Sequence, residues 1–87
     1  MHDQDLRIVT AMFELLHARV EGATICPSEV ARALQPDNWR HLMPAVREVA
    51  SRLATEHRID VRQRGRVIQL TAETRGPVRL SLRRDVR

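Results

Sequence analysis

Apolar residues near the start of the chain fall at Leu6, Val9, Phe13, Leu16 and Val20, at intervals of three and four. That spacing draws one stripe along a helix and predicts a helical segment from Asp5 to Glu21. Ile8, Met12 and Leu15 widen the stripe, so this helix is expected to pack against two neighbours. Asp3 and Asp5 suit its positive N-terminal end, and Gly22 is placed to end it as the C′ residue.

Thr24-Ile25 reads as a short extended piece. A residue before proline is pushed out of the helical region, so Cys26 should be extended and Pro27 should open a second helix. Glu29 falls where a carboxylate can reach back to a free amide, giving half a capping box. Val30, Ala31 and Leu34 face inward, and this helix should end near Gln35-Pro36. The chain restarts at Asp37 or Asn38, but Pro44 interrupts the pattern. A proline inside a helix loses a hydrogen bond and clashes with the preceding turn, costing about 3 kcal/mol. A single turn over Asn38 to Leu42, then a third helix from about Pro44 to Glu56, avoids that clash. Val46, Val49, Ala50 and Leu53 form its inward stripe.

Beyond the third helix the period changes from helical to alternating. Ile59, Val61 and Gln63 alternate with Asp60 and Arg62, which predicts a half-buried strand. Arg64-Gly65 reads as a turn, Val67 to Leu70 as a returning strand, and Thr71 to Gly76 as a polar loop. Pro77 fits a strand start or edge, after which Val78, Leu80 and Leu82 alternate with Arg79, Ser81 and Arg83. The order helix, short strand, helix, helix, strand, wing, strand is that of a winged helix-turn-helix domain. The expected fold is therefore α+β, with three helices and a small antiparallel β-hairpin wing. One domain over residues 1–87 is expected, its core about 5–83 and its tail 84–87 frayed.

Composition narrows the class. A chain of 87 residues suits one domain, and 43% hydrophobic with 30% charged residues suits a folded protein rather than a disordered one. No apolar run approaches the roughly 18 residues of a membrane span. The polar, acidic start does not read as a secretory leader, and Cys26 has no second cysteine to pair with. A cytoplasmic location is expected.

Charge changes the picture more. Formal net charge is +4 and the sequence pI is about 11.2, a range in which nucleic-acid binding comes into view. Residues 1–57 carry six arginines against eight acids, whereas residues 58–87 carry nine arginines against three. Every basic residue is arginine, whose planar fork grips phosphate or a guanine edge at two points. A GC-rich codon bias accounts for the absence of lysine, but not for the clustering.

Three blocks carry a resemblance. They are Thr24-Ile25-Cys26-Pro27-Ser28-Glu29-Val30-Ala31, then Trp39-Arg40 with Leu42-Met43-Pro44 and Val46-Arg47, then Arg75-Gly76-Pro77-Val78-Arg79-Leu80. Together they resemble the recurring blocks of a bacterial winged-helix domain family catalogued as a domain of unknown function. The resemblance covers the chain from about Ile8 to Leu82. It implies the winged-helix fold and no particular activity. Some relatives carry a short cysteine-rich zinc segment, to which this chain, with Cys26 alone, has no counterpart.

In helix-turn-helix proteins the second helix of the motif enters the major groove. Here that is the helix after Pro44, with Trp39, Arg40, His41, Arg47 and Ser51 near the groove and free N-terminal amides suited to phosphate. Arg62, Arg64 and Arg66 should line the hairpin tip, with Arg75 and Arg79 close by, in reach of the minor groove or its phosphates. Such contacts position a protein without reading sequence. The segment from Leu34 to Pro44 is longer than a tight helix-turn-helix allows. Arg47 and Arg52 are expected to face Glu48 and Glu56, leaving the third helix nearly neutral outside. Binding should therefore lean on the wing and select weakly.

Each candidate has a plainer reading. Trp39 is expected to close the core edge, with stacking on a base as its alternative. Cys26 reads as a small buried hydrophobe, and His2, His17, His41 and His57 are too far apart for a recognised metal spacing. Arginines on a wing also blunt a sheet edge. No Ser-His-Asp order, glycine-rich phosphate loop, HExxH or CxxC pattern is present, so no enzyme activity, cofactor or metal is expected.

The leading expectation is a duplex-DNA-binding module of the kind used in regulation. Its alternative is a winged-helix protein–protein interaction module without nucleic-acid binding. That module would show an exposed apolar patch around Ile8, Met12, Leu15 and Trp39, and self-association that persists in salt. RNA or single-strand binding ranks last, because Phe13 and Trp39 are the only aromatic residues.

Overall fold

Ile8, Met12 and Leu16 follow one another at four-residue intervals, and that row is where the core begins. In the computed structural model, which describes residues 3–20 and 22–83, they lie on helix α1, Asp3–Ala18, and are buried together with Ala11. The buried face is thus centred on residues expected only to widen the stripe. Leu6 and Val20, expected within it, are 51% and 81% exposed. So many apolar positions allow two adjacent stripes, and the placement of the neighbouring helices selects between them. The helix also stops early. Gly22, with φ +87°, belongs to a following turn in which the Ala23 N–H donates to the Val20 carbonyl at 3.0 Å, and is not the helix C′ residue. Glu21 lies outside the described residues.

Helix α2, Pro27–Leu34, starts as the chain chemistry requires. Cys26 is extended at φ −92° and ψ 142°, Pro27 occupies the first turn, and the Cys26 N–H donates to the Glu29 carboxylate at 2.9 Å. A single 3-10 turn, Trp39–Leu42, leads directly into helix α3, Met43–Thr55, with Pro44 in its first turn. Pro44 therefore breaks nothing. Val46, Val49, Ala50 and Leu53 are buried, as their spacing demands.

The end of α3 contains a feature that residue preferences hide. The His57 N–H donates to the Ala54 carbonyl and the Arg58 N–H to the Leu53 carbonyl, both at 2.9 Å, with His57 at φ +63°. That is a Schellman ending with histidine at the position glycine normally takes.

Strands β1, Ile59–Gln63, β2, Arg66–Ile68, and β3, Arg79–Leu82, form an antiparallel sheet in the order β2-β1-β3. Arg64 and Gly65 both have positive φ, +53° and +80°, so the β1–β2 turn has the twist that two-residue hairpins favour. The fold is α+β as expected, but the hairpin has become a three-stranded sheet. The strand expected over Val67 to Leu70 is shorter, because Leu70 leaves the sheet to bury itself against α3. The chain then crosses the end of β1 and returns as β3 on its far side. A bridge between Ile25 and Leu80, with hydrogen bonds of 2.9 and 2.8 Å, ties the segment before α2 to the sheet edge. Residues 84–87, expected to fray, lie outside the described residues.

Two substitutions test this packing. Leu80→Ala should lower unfolding free energy by about 2–5 kcal/mol, as truncation of a fully buried leucine does. His57→Gly should raise it by about 0.5–1 kcal/mol by relieving the left-handed backbone. Urea unfolding followed by circular dichroism measures both.

Candidate nucleic-acid interface

Arg47 and Ser51 stand one turn apart on α3, on the side expected to face a groove. The loop after β2 lies across both. Arg47 Nη2 donates to the Thr74 carbonyl at 3.2 Å, and Ser51 Oγ to the Leu70 carbonyl at 2.9 Å. The loop braces itself: the Thr71 N–H donates to Thr74 Oγ1 at 2.9 Å and the Glu73 N–H to Thr71 Oγ1 at 3.2 Å. Between loop and helix runs a groove of about 410 Å³ lined by Pro44, Arg47, Glu48, Ser51, Leu70, Thr71 and Ala72. The N-terminal half of α3 is therefore partly occupied by its own chain.

Arg52 does not pair with its helix neighbours as expected. It reaches Asp5 on α1 at 2.9 Å, a hydrogen-bonded pair that holds the guanidinium still further above its ordinary range. Asp5 lies closer because the start of α1 packs beside α3, and a pair between helices satisfies both charges.

The five arginines around the β1–β2 hairpin differ in what they meet. Arg62 stands directly opposite Arg79 on β3 and Val67 on β2. Like charges in direct opposition repel. They are drawn apart here. Arg79 turns to Thr24, donating to Oγ1 at 2.9 Å and to the carbonyl at 3.1 Å, whereas Arg62 approaches Ser81 Oγ at 3.4 Å and Asp60 at 3.8 Å. Arg83 shares Asp60 at 3.6 Å. Arg66 pairs in register with Gln63, whose Nε2 donates to the Arg75 carbonyl at 2.7 Å. The backbones of Arg66 and Arg75 therefore lie beside the hairpin turn that holds Arg64. These three are exposed and make no ion pair or side-chain hydrogen bond among the described residues.

Trp39 is half-buried against the core, as its plainer reading requires. Its ring also carries two guanidinium groups, Arg40 at 4.5 Å and Arg32 at 4.4 Å from the centroid. Arg32 is not among the residues the sequence singles out. Its contact crosses the turn between α2 and Trp39, and no spacing announces it. His41 is exposed.

Cys26 is half-buried rather than enclosed, and its sulfur accepts the Ser28 hydroxyl at 3.0 Å. No cluster of three or more His, Cys, Asp or Glu suited to a metal occurs among the described residues. The apolar patch expected for a docking module does not form: Ile8 and Met12 have no exposure, and Leu15 and Trp39 are half-buried. Those side chains pack against or beside the core that α2 and α3 complete. No helix among the described residues is long and apolar enough to cross a membrane.

A family model described as Protein of unknown function (DUF3253) matches residues 5–83, which hold Trp39 and every candidate arginine named above. The chain belongs to the DUF3253 family. No curated protein matches it. DUF3253 membership brings no activity with it, so the interface stands on its own geometry.

Arg47→Ala should free the Thr74 carbonyl and loosen the loop from α3. Amide hydrogen exchange should then quicken at Thr71 and Thr74 while the β1 amides keep their protection. An unchanged loop would show that Leu70 and Ser51 hold it alone.

Proposed function

We propose that this DUF3253 domain is a non-enzymatic winged-helix module that binds duplex DNA through its arginine wing, with weak sequence selectivity. The observation that carries the reading is the division of the arginines. Arg19, Arg52, Arg62, Arg83 and Arg79 are engaged by Glu29, Asp5, Asp60 and Thr24. Arg7, Arg32, Arg40, Arg47 and Arg58 lack a carboxylate partner but lie on the helices and their connections, whereas Arg64, Arg66 and Arg75 stand together at one end of the sheet without a carboxylate partner among the described residues. Unpaired guanidinium groups on a short, rigid hairpin suit the evenly spaced phosphates of a duplex. The element order adds support, since a wing beside a third helix is suited to straddling a groove and its flanking backbone.

Weak selectivity follows from α3. Arg47 and Ser51, the polar side chains best placed to read base edges, are hydrogen-bonded to the loop, and Glu48 beside them repels phosphate. A protein–protein module draws no comparable support. Exposed Leu6, Val20 and Val67 lie on α1, the turn after it and β2, and they make no single patch of the expected residues.

Fluorescence anisotropy of a labelled mixed-sequence duplex, titrated at several salt concentrations, tests the reading. Micromolar affinity with a log–log salt slope of about −3 to −5 is expected. Arg64→Ala/Arg66→Ala/Arg75→Ala should make the slope shallower by about 0.9 for each phosphate no longer neutralised. Absence of binding at low salt overturns the proposal.

A further inference from the structure

We propose that Arg32 and Arg40, held over Trp39, form a phosphate-binding site separate from the wing. The inference goes beyond the wing reading and rests on it only for the source of the phosphate. Arg32 lies in the last turn of α2, and Arg40 follows Trp39 in the 3-10 turn ahead of α3. Both guanidinium groups lie within 4.5 Å of the same indole centroid. Two like charges over one ring repel each other. Neither forms an ion pair or a side-chain hydrogen bond among the described residues, although Asp37 is exposed in the connecting segment.

A ring face attracts a guanidinium without using its N–H donors, which all project from the rim of the planar group. The indole therefore fixes two arginines and leaves their donors free for an oxygen-rich anion. A phosphate group suits them, because its oxygens accept from a guanidinium fork and its charge offsets the repulsion between the two cations. The half-buried Trp39 gives the site a base anchored to the core. The elements that carry it belong to the helical layer, and none belongs to the sheet.

Trp39 is the single tryptophan, so its emission reports the site directly. Two titrations of the wild-type domain are compared with sodium chloride at matched ionic strength: one with inorganic pyrophosphate, and one with the mixed-sequence duplex while anisotropy is recorded. Emission that moves saturably with pyrophosphate is expected. Arg32→Gln, checked for an unchanged melting temperature, should weaken the half-saturation about tenfold, as expected when one charge-assisted hydrogen bond is removed.

Emission that also follows duplex anisotropy supports engagement of the DNA backbone. A response to pyrophosphate alone supports the site but assigns it to a free phosphate compound. Emission that moves with neither beyond the chloride control overturns the site. It does so whether or not the anisotropy rises, so the failure of this inference is distinct from failure of the wing.

Discussion

Ile25, Leu80, Val61 and Ile68 form one row of apolar side chains running across the sheet from the segment before α2 to the edge strand. The first three have no exposure at all. Every other placement hangs on this row. It pins the entry to α2, because Cys26 and Pro27 follow Ile25 directly. It also sets which side chains face outward, since neighbouring residues on a strand point to opposite faces. A slip of one residue would carry Leu80 to the solvent face and Arg79 into the core, so the apolar row enforces the register that presents the arginines.

The arginines then sort by what lies next to them. Acidic residues are plentiful in the helical part of the chain, and two arginines are taken up there: Arg19 by Glu29, and Arg52 by Asp5. On the outer sheet face Asp60 serves both Arg62 and Arg83, and Thr24 serves Arg79. Exposed pairs of this kind stabilise little, typically under about 1 kcal/mol each. Their larger effect is on the distribution of free charge. With those positions balanced, Arg7 and Arg58 stay unpaired singly, and unpaired cations are grouped at the hairpin tip and around Trp39, two places where an anion meets no ion-paired competitor among the described residues.

What the chain makes legible is what short-range chemistry decides. Pro27 and Pro44 set two helix starts, the spacing of Val46, Val49, Ala50 and Leu53 orients α3, and Arg64-Gly65 locates the turn. Decisions made over long range are not readable in this way. Whether a strand adds to the left or right of β1 depends on where the connecting loop finds burial, and here Leu70 draws it onto α3. The face of α1 depends on helices that arrive later in the chain. The left-handed ending at His57 contradicts residue preference and is held by tertiary packing around Leu53 and Ile59. Of the candidate site, the hairpin-tip arginines are legible as a cluster. The loop over Arg47 and the meeting of Arg32 with Trp39 are not, because both join segments with no shared period.

The position of that loop bears on how such a domain would meet a duplex. A recognition helix reads bases with polar side chains that are free to leave water and enter the groove. Here the α3 side chains suited to that task have exchanged water for backbone carbonyls at 3.2 and 2.9 Å, and recovering them would require breaking those bonds. The free cations are spared that cost, since neither the tip arginines nor the pair over Trp39 gives up an internal partner to engage phosphate. Binding energy would therefore come from charge neutralisation along the backbone, with α3 contributing little base readout. Any sequence preference would arise from groove width and the ease of deforming the duplex, rather than from base edges.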